Sequence, residues 1–194
     1  MLYNTSEDKN ANVASNLILN GEIIIYSTDT LYGFGVDATD CDVISRLNKI
    51  KQRIGPYSII VDSMKMLKKY AIINNRIENK LKQIFPGPFT AILKKTNNNL
   101  SPLVSNNLAT VGVRIPNNNF ILDVVNKTKK PIITTSVNIH GNEPINRLDI
   151  IKKIYTNFNI FTNAKNKESK GSTIIDFTTF PYKIIREGDV SINI

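Results

Sequence analysis

The apolar residues of this chain fall in short runs rather than in one long stretch. Residues 23–26, 59–61 and 132–133 are rich in isoleucine, and each run is interrupted within a few residues. None approaches the roughly 18 residues that a membrane-spanning helix requires, so we predict no membrane span. Short β-branched runs between polar segments are typical of buried strands. A chain of 194 residues, of which 41% are hydrophobic, can bury one ordinary core, so we expect a single domain over residues 1–194.

Segments with apolar residues at helical spacing alternate with these strand-like runs, and the predicted fold class is α/β. The strands outnumber those of a strict alternation and several are joined by short links, which favours a mixed parallel and antiparallel sheet with flanking helices. The predicted helices cover residues 6–19, 40–50, 64–71, 75–85, 118–128 and 148–155, with N-caps at Ser6 and Asp40. The predicted strands cover residues 22–26, 58–61, 89–93, 111–115, 131–135, 173–177 and 182–186, with a polar loop at 97–107 and a linker-like stretch at 163–171.

A net charge of +9 has two interpretations. It is compatible with a nucleic-acid surface. The 19 lysines, 26 asparagines and 30 isoleucines are also what an AT-rich genome produces without selection for binding, and we favour this origin. In either case a concave site in this protein is expected to be positive and to attract molecules that carry phosphate. The six arginines are informative because such a genome favours lysine.

A single cysteine and a single histidine limit the chemistry that this chain can perform. Cys41 cannot form an internal disulfide, and with His140 it does not make up the usual ligands of a structural metal site. A Ser-His-Asp triad or a thiol enzyme would depend on His140, which we predict to be a turn residue. The G-x-G-x-x-A sequence at residues 33–38 lacks the acidic residue that a dinucleotide site needs about 20 positions later, and no Walker A sequence is present. The first residues lack the features of a signal peptide, so we expect a cytoplasmic protein.

Polar side chains recur instead at the ends of predicted strands. Residues 27–30 carry three hydroxyls and a carboxylate, which form either a self-capping turn or the rim of a substrate site. Lys51 and Arg53 would project to one side of an extended segment and bind a phosphate chain. Cations after a helix also simply complement the helix dipole, and this interpretation stays open.

An arginine occurs inside one of the apolar strands. The alternation in residues 109–116 places Thr110, Gly112 and Arg114 on one face and the valines on the other. Gly112 is expected to leave room beside the guanidinium, which suits a carboxylate ligand. Similar polar positions end two other strands: Thr134, Ser136 and Asn138 on one, and Arg186 on the last. Each set fits a solvated sheet face, but together they can line one cavity for a substrate with phosphate and carboxylate groups.

Seven segments of the chain follow the order of motifs in one known family. They are residues 27–37 (S-T-D-T-L-Y-G-F-G-V-D, for P-T-D-T-x-Y-G-L), 51–53 (K-Q-R, for K-x-R), 85–90 (F-P-G-P-F-T, for P-G-P-x-T), 109–116 (A-T-V-G-V-R-I-P, for T-V-x-V-R-x-P), 135–138 (T-S-V-N, for T-S-A-N), 172–176 (S-T-I-I-D, for S-T-V-V-D) and 185–188 (I-R-E-G, for I-L-R-x-G). On these segments the chain resembles the YrdC-type threonylcarbamoyl-AMP synthases, in their short form without an extra carboxyl-terminal domain.

The resemblance implies a YrdC-like fold with a positively charged concave cavity. It also implies that L-threonine, bicarbonate or CO₂, and ATP with Mg²⁺ are joined into L-threonylcarbamoyladenylate with release of pyrophosphate, for N6-threonylcarbamoyladenosine formation on tRNA. Proteins that transfer the threonylcarbamoyl group to tRNA are then the expected downstream partners. By the same resemblance, threonine is bound by Thr28, Arg114, Thr134 and Ser172. ATP is bound by Thr110, Arg186 and the four expected catalytic residues Lys51, Arg53, Ser136 and Asn138.

The chain departs from the family pattern at three positions, and two alternative functions stay open. Ser27 and Ile54 stand where the family usually has proline, and Asp62 stands where many members have histidine. One alternative is a non-catalytic module that binds double-stranded RNA or tRNA through a basic concave face. The other is an O-carbamoyltransferase-like relative that uses carbamoyl phosphate, although such proteins usually carry this fold in a larger chain with zinc-finger-like cysteines.

Overall fold

The computed structural model describes residues 1–163 and 168–192, which form seven helices and eleven strands. The linker-like stretch predicted at 163–171 therefore lies in part outside the described residues. The helices are α1 (Asp8–Leu19), α2 (Cys41–Lys51), α3 (Met64–Tyr70), α4 (Asn75–Ile84), α5 (Pro102–Ser105), α6 (Asn119–Thr128) and α7 (Leu148–Ile154). The strands are β1 (Leu2–Tyr3), β2 (Ile24–Ser27), β3 (Tyr32–Asp37), β4 (Ser58–Ile60), β5 (Ala71–Ile72), β6 (Phe89–Lys95), β7 (Thr110–Arg114), β8 (Ile132–Ser136), β9 (Asn159–Phe161), β10 (Thr173–Asp176) and β11 (Lys183–Arg186).

All strands belong to one mixed sheet, which confirms the predicted α/β class. Its order is β1-β9-β2-β3-β8-β4-β7-β6-β10-β11, and β5 pairs with β6 outside this path. Four of the pairs are parallel, namely β1 with β9, β2 with β9, β4 with β7, and β6 with β10. The other six pairs are antiparallel.

The ends of α2 show how local sequence sets the helix boundaries. The Asp40 carboxylate accepts hydrogen bonds from the backbone N–H groups of Asp42 (2.8 Å) and Val43 (3.2 Å), as the sequence predicts for an N-cap. The helix ends at Gln52, whose left-handed conformation (φ 50°) turns the chain away. The predicted cap of α1 is wrong, because Glu7 and not Ser6 precedes that helix and its side chain makes no capping hydrogen bond.

Strand β3 is the largest element that the sequence did not predict. Two glycines within six residues lower strand propensity, so the segment resembles a loop. All six residues are buried between β2 and β8. Gly35 is required there, because an added Cβ would lie 2.9 Å from a ring carbon of Tyr26. The short helix α5 likewise lies within the predicted loop at 97–107, where Ser101 accepts a hydrogen bond from the Leu103 N–H group.

Candidate active site

One face of the central sheet forms the floor of a cavity of about 320 Å³. Sheet register brings Thr134, Ser58 and Gly112 side by side on β8, β4 and β7, since Ser58 is the partner of both other residues. Thr90 on β6 and Ile174 on β10 are also partners and extend the same wall. The cavity therefore depends on strands that are far apart in sequence and adjacent in the sheet.

Nine of the ten predicted site residues line this cavity. They are Thr28, Lys51, Arg53, Arg114, Thr134, Ser136, Asn138, Ser172 and Arg186. Thr110 is not among the described residues that line it, because it pairs with Lys94, two register positions beyond the pair of Gly112 with Ile92. Thr110 does share the strand face of Gly112 and Arg114, but it lies farther along β7.

Arg114 lies at the end of β7 and is almost completely buried. Its Nη2 donates a hydrogen bond of 2.7 Å to Oδ1 of Asp29, and the two side chains are 7% and 9% exposed. The other carboxylate oxygen of Asp29 accepts from the backbone N–H of Asn117 (3.1 Å). Within the described part of the chain, the buried Nε of Arg114 has no hydrogen-bond partner. A buried donor without a partner is costly, so the geometry suits a further acceptor such as a substrate carboxylate.

Thr28 closes the loop that carries Asp29. Its hydroxyl donates to the carbonyl oxygen of Leu31 (2.7 Å) and accepts from the backbone N–H of Thr30 (3.0 Å). The loop therefore caps itself, as one interpretation of this hydroxyl cluster expects. It also lines the cavity, as the other interpretation, the rim of a substrate site, expects.

Lys51 is a buried cation at the last residue of α2. Its Nζ donates to the carbonyl oxygen of Ser136 (2.7 Å) and to Oδ1 of Asn138, which also accepts from the Ser136 hydroxyl (2.7 Å). Burial, with a smaller contribution from the Arg53 guanidinium, lowers the pKa of Lys51 to about 8. Three of the predicted catalytic residues thus form one hydrogen-bonded cluster.

Arg53 reaches the cavity by a route that the sequence did not predict. Lys51 and Arg53 do not lie in an extended segment, because Gln52 between them has a left-handed conformation. The Arg53 guanidinium lies over the Tyr57 ring, 4.8 Å from its centroid, and donates to the carbonyl oxygen of Pro56 (3.1 Å). These contacts hold a second cation at the same cavity as Lys51.

Gly112 makes room for a serine and a threonine on the neighbouring strands. An added Cβ would lie 2.6 Å from the Ser58 Oγ and 3.4 Å from the Thr90 Cγ2. The Thr90 hydroxyl is in turn 2.8 Å from that of Ser172. The glycine therefore permits a floor of hydroxyl groups, and that it also leaves space beside the Arg114 guanidinium stays a prediction.

Other lining residues were not predicted as site residues. They are Thr30, Leu31, Tyr32, Gly33, Pro56, Ser58, Thr90, Thr135, His140, Pro144, Lys170 and Ile174. His140 does lie in a turn, and its backbone N–H donates to the carbonyl oxygen of Lys51 (3.0 Å). Several of these residues lie inside the seven motif segments. Membership in a motif segment is therefore the sequence signal that could have identified Thr30 and Thr90 as site residues. Ser58 and Lys170 lie outside those segments.

The cavity lining is strongly biased toward positive charge. Five lining residues are lysine or arginine, and none of the lining residues that the structure describes is aspartate or glutamate. Over residues 1–163 and 168–192, no group of three or more His, Cys, Asp or Glu side chains is placed to hold a metal ion. Every helix in these ranges is too short or too polar to cross a membrane. Clustered cations around a concave site attract anions, and hydroxyl and amide groups can orient them.

Comparison with known proteins identifies the family. The Sua5/YciO/YrdC family model, described as "Telomere recombination", matches residues 16–188. The chain belongs to the Sua5/YciO/YrdC family. A relative from Methanocaldococcus jannaschii, "Putative threonylcarbamoyl-AMP synthase", is 34% identical over 203 residues, which cover 98% of this chain and 93% of the relative.

Two solved structures of Sua5/YciO/YrdC proteins share the fold. Pyrococcus abyssi Sua5 complexed with L-threonine matches with a TM-score of 0.86 and 26% identity, and the match covers 97% of this chain. The match covers 57% of the Sua5 chain, so this sequence spans little more than half of that protein. Escherichia coli YciO has a TM-score of 0.88 at 22% identity, with 98% and 97% of the two chains covered, which shows the shared fold.

Proposed function

We propose that this protein is a threonylcarbamoyl-AMP synthase, which makes threonylcarbamoyl-AMP and pyrophosphate from L-threonine, bicarbonate or CO₂, and ATP. The observation that carries the proposal is the single cavity in which buried Arg114 and the Lys51 cluster face one volume. The name of the M. jannaschii relative and the threonine bound by P. abyssi Sua5 support it.

The proposed threonine site lies around Arg114. Its guanidinium pairs with the threonine carboxylate, because its Nε is buried and lacks a partner in the described structure. The hydroxyl groups of Thr28, Thr134 and Ser172 line the cavity with Arg114 and can bond the amine and hydroxyl groups of threonine. The cavity of about 320 Å³ holds an amino acid beside the phosphates of a nucleotide.

The proposed nucleotide site is formed by three other cations of the lining, the Ser136 hydroxyl and the Asn138 amide. Lys51, Arg53 and Arg186 neutralise the phosphates, and Ser136 and Asn138 orient Lys51 and the reacting groups. Thr110 was expected at this site from the family resemblance, but its position on β7 gives it no place in the lining, and we leave it out of the proposal.

The proposed reaction needs no nucleophilic side chain. The neutral threonine amine forms an N–C bond to CO₂ and loses a proton to give a carbamate. With bicarbonate, the amine displaces hydroxide, which takes up the amine proton and leaves as water. A carbamate oxygen then forms a bond to the α-phosphorus while the α–β phosphoanhydride bond breaks and pyrophosphate leaves with its electron pair. Catalysis consists of positioning and charge neutralisation by Lys51 and Arg53. This chemistry agrees with a site that is rich in cations and hydroxyls.

We propose that Mg²⁺ arrives with ATP as part of the substrate. The described lining residues offer no carboxylate, so the side chains present do not form a protein-held Mg²⁺ site. Mg²⁺ commonly binds through the phosphates of its nucleotide and retains waters. The threonylcarbamoyl-AMP formed would then pass to proteins that transfer its threonylcarbamoyl group to tRNA.

Pyrophosphate release with each substrate omitted in turn tests the proposal. We expect release only when threonine, bicarbonate and ATP are all present. Carbamoyl phosphate in place of threonine and bicarbonate tests the O-carbamoyltransferase alternative, and release of inorganic phosphate from that compound in the presence of ATP would contradict the synthase. Release of pyrophosphate from ATP without threonine would also contradict it.

The second candidate function is a module that binds double-stranded RNA or tRNA. The five lining cations and the net charge of +9 favour it, since phosphate groups dominate such binding. An RNA module would bind RNA with an affinity that falls steeply with salt and changes little on Arg114→Ala, because Arg114 is buried. RNA binding without pyrophosphate release would support this candidate over the synthase.

A further inference from the structure

The segment 168–173 forms one wall of the cavity through Lys170 and Ser172. Only Ser172 belongs to a family motif, and the sequence predicted a linker-like stretch here. The exposed Lys170 makes no ion pair with another described residue. A cation that faces a cavity without a counter-charge is available to an anionic ligand.

Asp189 fixes the backbone on either side of Lys170. Its Oδ1 accepts from the Lys170 N–H (2.6 Å), and its Oδ2 accepts from the Ser169 hydroxyl (2.5 Å). The backbone N–H of Asp189 donates to the carbonyl oxygen of Gly171 (2.9 Å), and the Gly171 N–H donates to the Ser169 Oγ (3.0 Å). Gly171 has a left-handed conformation (φ +86°), which a glycine adopts without strain. The turn that presents Lys170 is therefore closed by four hydrogen bonds.

Arg186 lies against the same turn. Its Nη2 donates to the carbonyl oxygen of Ser172 (2.7 Å), and a Cβ added at Gly171 would lie 3.1 Å from that nitrogen. Lys170 and Arg186 are thus two cations on one wall, while the Asp189 carboxylate is occupied by backbone and hydroxyl donors. Two cations in one cavity lining suit a ligand with several negative charges, such as a polyphosphate, better than a single carboxylate.

We propose that Lys170 is an additional binding residue for the polyphosphate of the nucleotide, and that Asp189 is a positioning residue that holds it at the cavity. The proposal rests on the function proposed above for the choice of ATP. Lys170 and Arg186 then form a second pair of cations for the nucleotide phosphates. The first pair, Lys51 and Arg53, lies more than 100 residues earlier in the sequence.

Direct binding of ATP and of threonine, measured by calorimetry on the full chain, tests the role of Lys170. We expect Lys170→Gln to raise the Kd for ATP about tenfold, as loss of one charge-assisted contact at an exposed site does, and to leave the Kd for threonine unchanged. Lys170→Arg keeps the charge and should stay within about threefold of the unsubstituted protein. The control is Lys152→Gln on α7, an exposed lysine outside the cavity lining. Equal ATP affinities for Lys170→Gln and Lys152→Gln would overturn the proposal.

Steady-state kinetics separate positioning by Asp189 from a merely structural role. We expect Asp189→Ala to raise the KM for ATP about fivefold with kcat nearly unchanged, and Asp189→Asn to restore most of the loss because an amide oxygen still accepts from Lys170 N–H. The control is Glu187→Gln, which removes a nearby exposed acid. A fall in kcat and melting temperature without a selective rise in the KM for ATP would refute the positioning role.

The inference and the proposed function fail in different ways. If the unsubstituted protein releases pyrophosphate and Lys170→Gln releases it at the same rate at limiting ATP, the inference about Lys170 is refuted and the proposed function is retained. ATP binding that depends on Lys170 without any pyrophosphate release refutes the proposed synthase activity and retains the polyphosphate site.

Discussion

Replacement of Arg114 by alanine should affect stability and activity by separable amounts. The Arg114–Asp29 pair has a hydrogen bond of 2.7 Å and side chains that are less than a tenth exposed. Two charges about 4 Å apart interact by about 4 kcal/mol at an effective dielectric constant of 20. Removing one partner of a buried ion pair costs about 3–5 kcal/mol. For a chain of this size, about 3 kcal/mol corresponds to a fall in Tm of roughly 6–12 °C.

A second substitution separates the two effects. Asp29→Asn in the Arg114→Ala background removes the buried negative charge that paired with Arg114 and keeps an acceptor for the Asn117 N–H group, so much of the lost stability should return. Activity should not return, because the proposed partner of the threonine carboxylate is still absent. We expect kcat/KM to fall about 100-fold in both variants, which corresponds to about 2.7 kcal/mol of transition-state stabilisation.

Thermal unfolding and pyrophosphate release on the same preparations measure both quantities. Arg76→Ala is the matched control, since Arg76 is exposed and stacks on Phe180 at 4.6 Å, outside the cavity lining. Its kcat/KM should remain within about twofold of the unsubstituted protein. Recovery of activity in the Arg114→Ala, Asp29→Asn double variant would refute the carboxylate assignment. An unchanged Tm in Arg114→Ala would refute the stability argument.

Three further predictions follow from the described contacts. The pKa of Lys51 is lowered to about 8, so its charge is lost as pH rises through that value, and kcat/KM for ATP should fall above pH 8. In Lys51→Arg this falling limb should disappear from a pH–rate profile, and its persistence would assign the limb to another group. Gly112→Ala should lower the unfolding free energy by about 1–3 kcal/mol in urea titrations, and Ser58→Ala added to it should restore the loss if contact with the Ser58 Oγ is the cause. Thr110→Val should change the KM for ATP less than threefold, and a larger rise would return Thr110 to the nucleotide site.

Most of the residues that the sequence singled out line one cavity, but the sequence did not predict how they are arranged there. Alternation in β7 correctly places Arg114 and Gly112 on one face, because the two-residue period is a property of any strand. Alternation cannot say how far along that face a cavity extends, and Thr110, which the family resemblance assigned to the nucleotide site, lies beyond the described lining. The role of Gly112 depends on Ser58 and Thr90, which come from two other strands, and no local signal connects these residues.

Strand β3 and the segment 51–53 differ from the sequence-based expectations for different physical reasons. Glycines in β3 lower its strand propensity, yet neighbours on β2 and β8 bury it, so tertiary packing overrides the local preference. The segment of residues 51–53 was considered as an extended phosphate clamp, but the left-handed turn at Gln52 brings both cations to the cavity. Contacts distant in sequence thus decide the conformation of β3, whereas the turn at Gln52 is a local helix cap in which the N–H groups of Gln52 and Arg53 donate to carbonyl oxygens of α2.

Burial of Lys51 predicts that ATP binding is coupled to proton uptake. The fold holds Lys51 among several cations, and both desolvation and the Arg53 charge lower its pKa to about 8. At pH 8 about half of the Lys51 side chains are therefore neutral in the free protein. Phosphate bound beside Lys51 favours the charged form, so binding should take up about 0.5 proton per ATP at pH 8 and close to none at pH 6.5. Calorimetry of ATP binding in buffers of different ionisation enthalpy measures this number, and Lys51→Arg, which is always charged, should abolish the uptake at pH 8. Equal uptake in the unsubstituted protein and in Lys51→Arg would show that ATP does not bind beside Lys51.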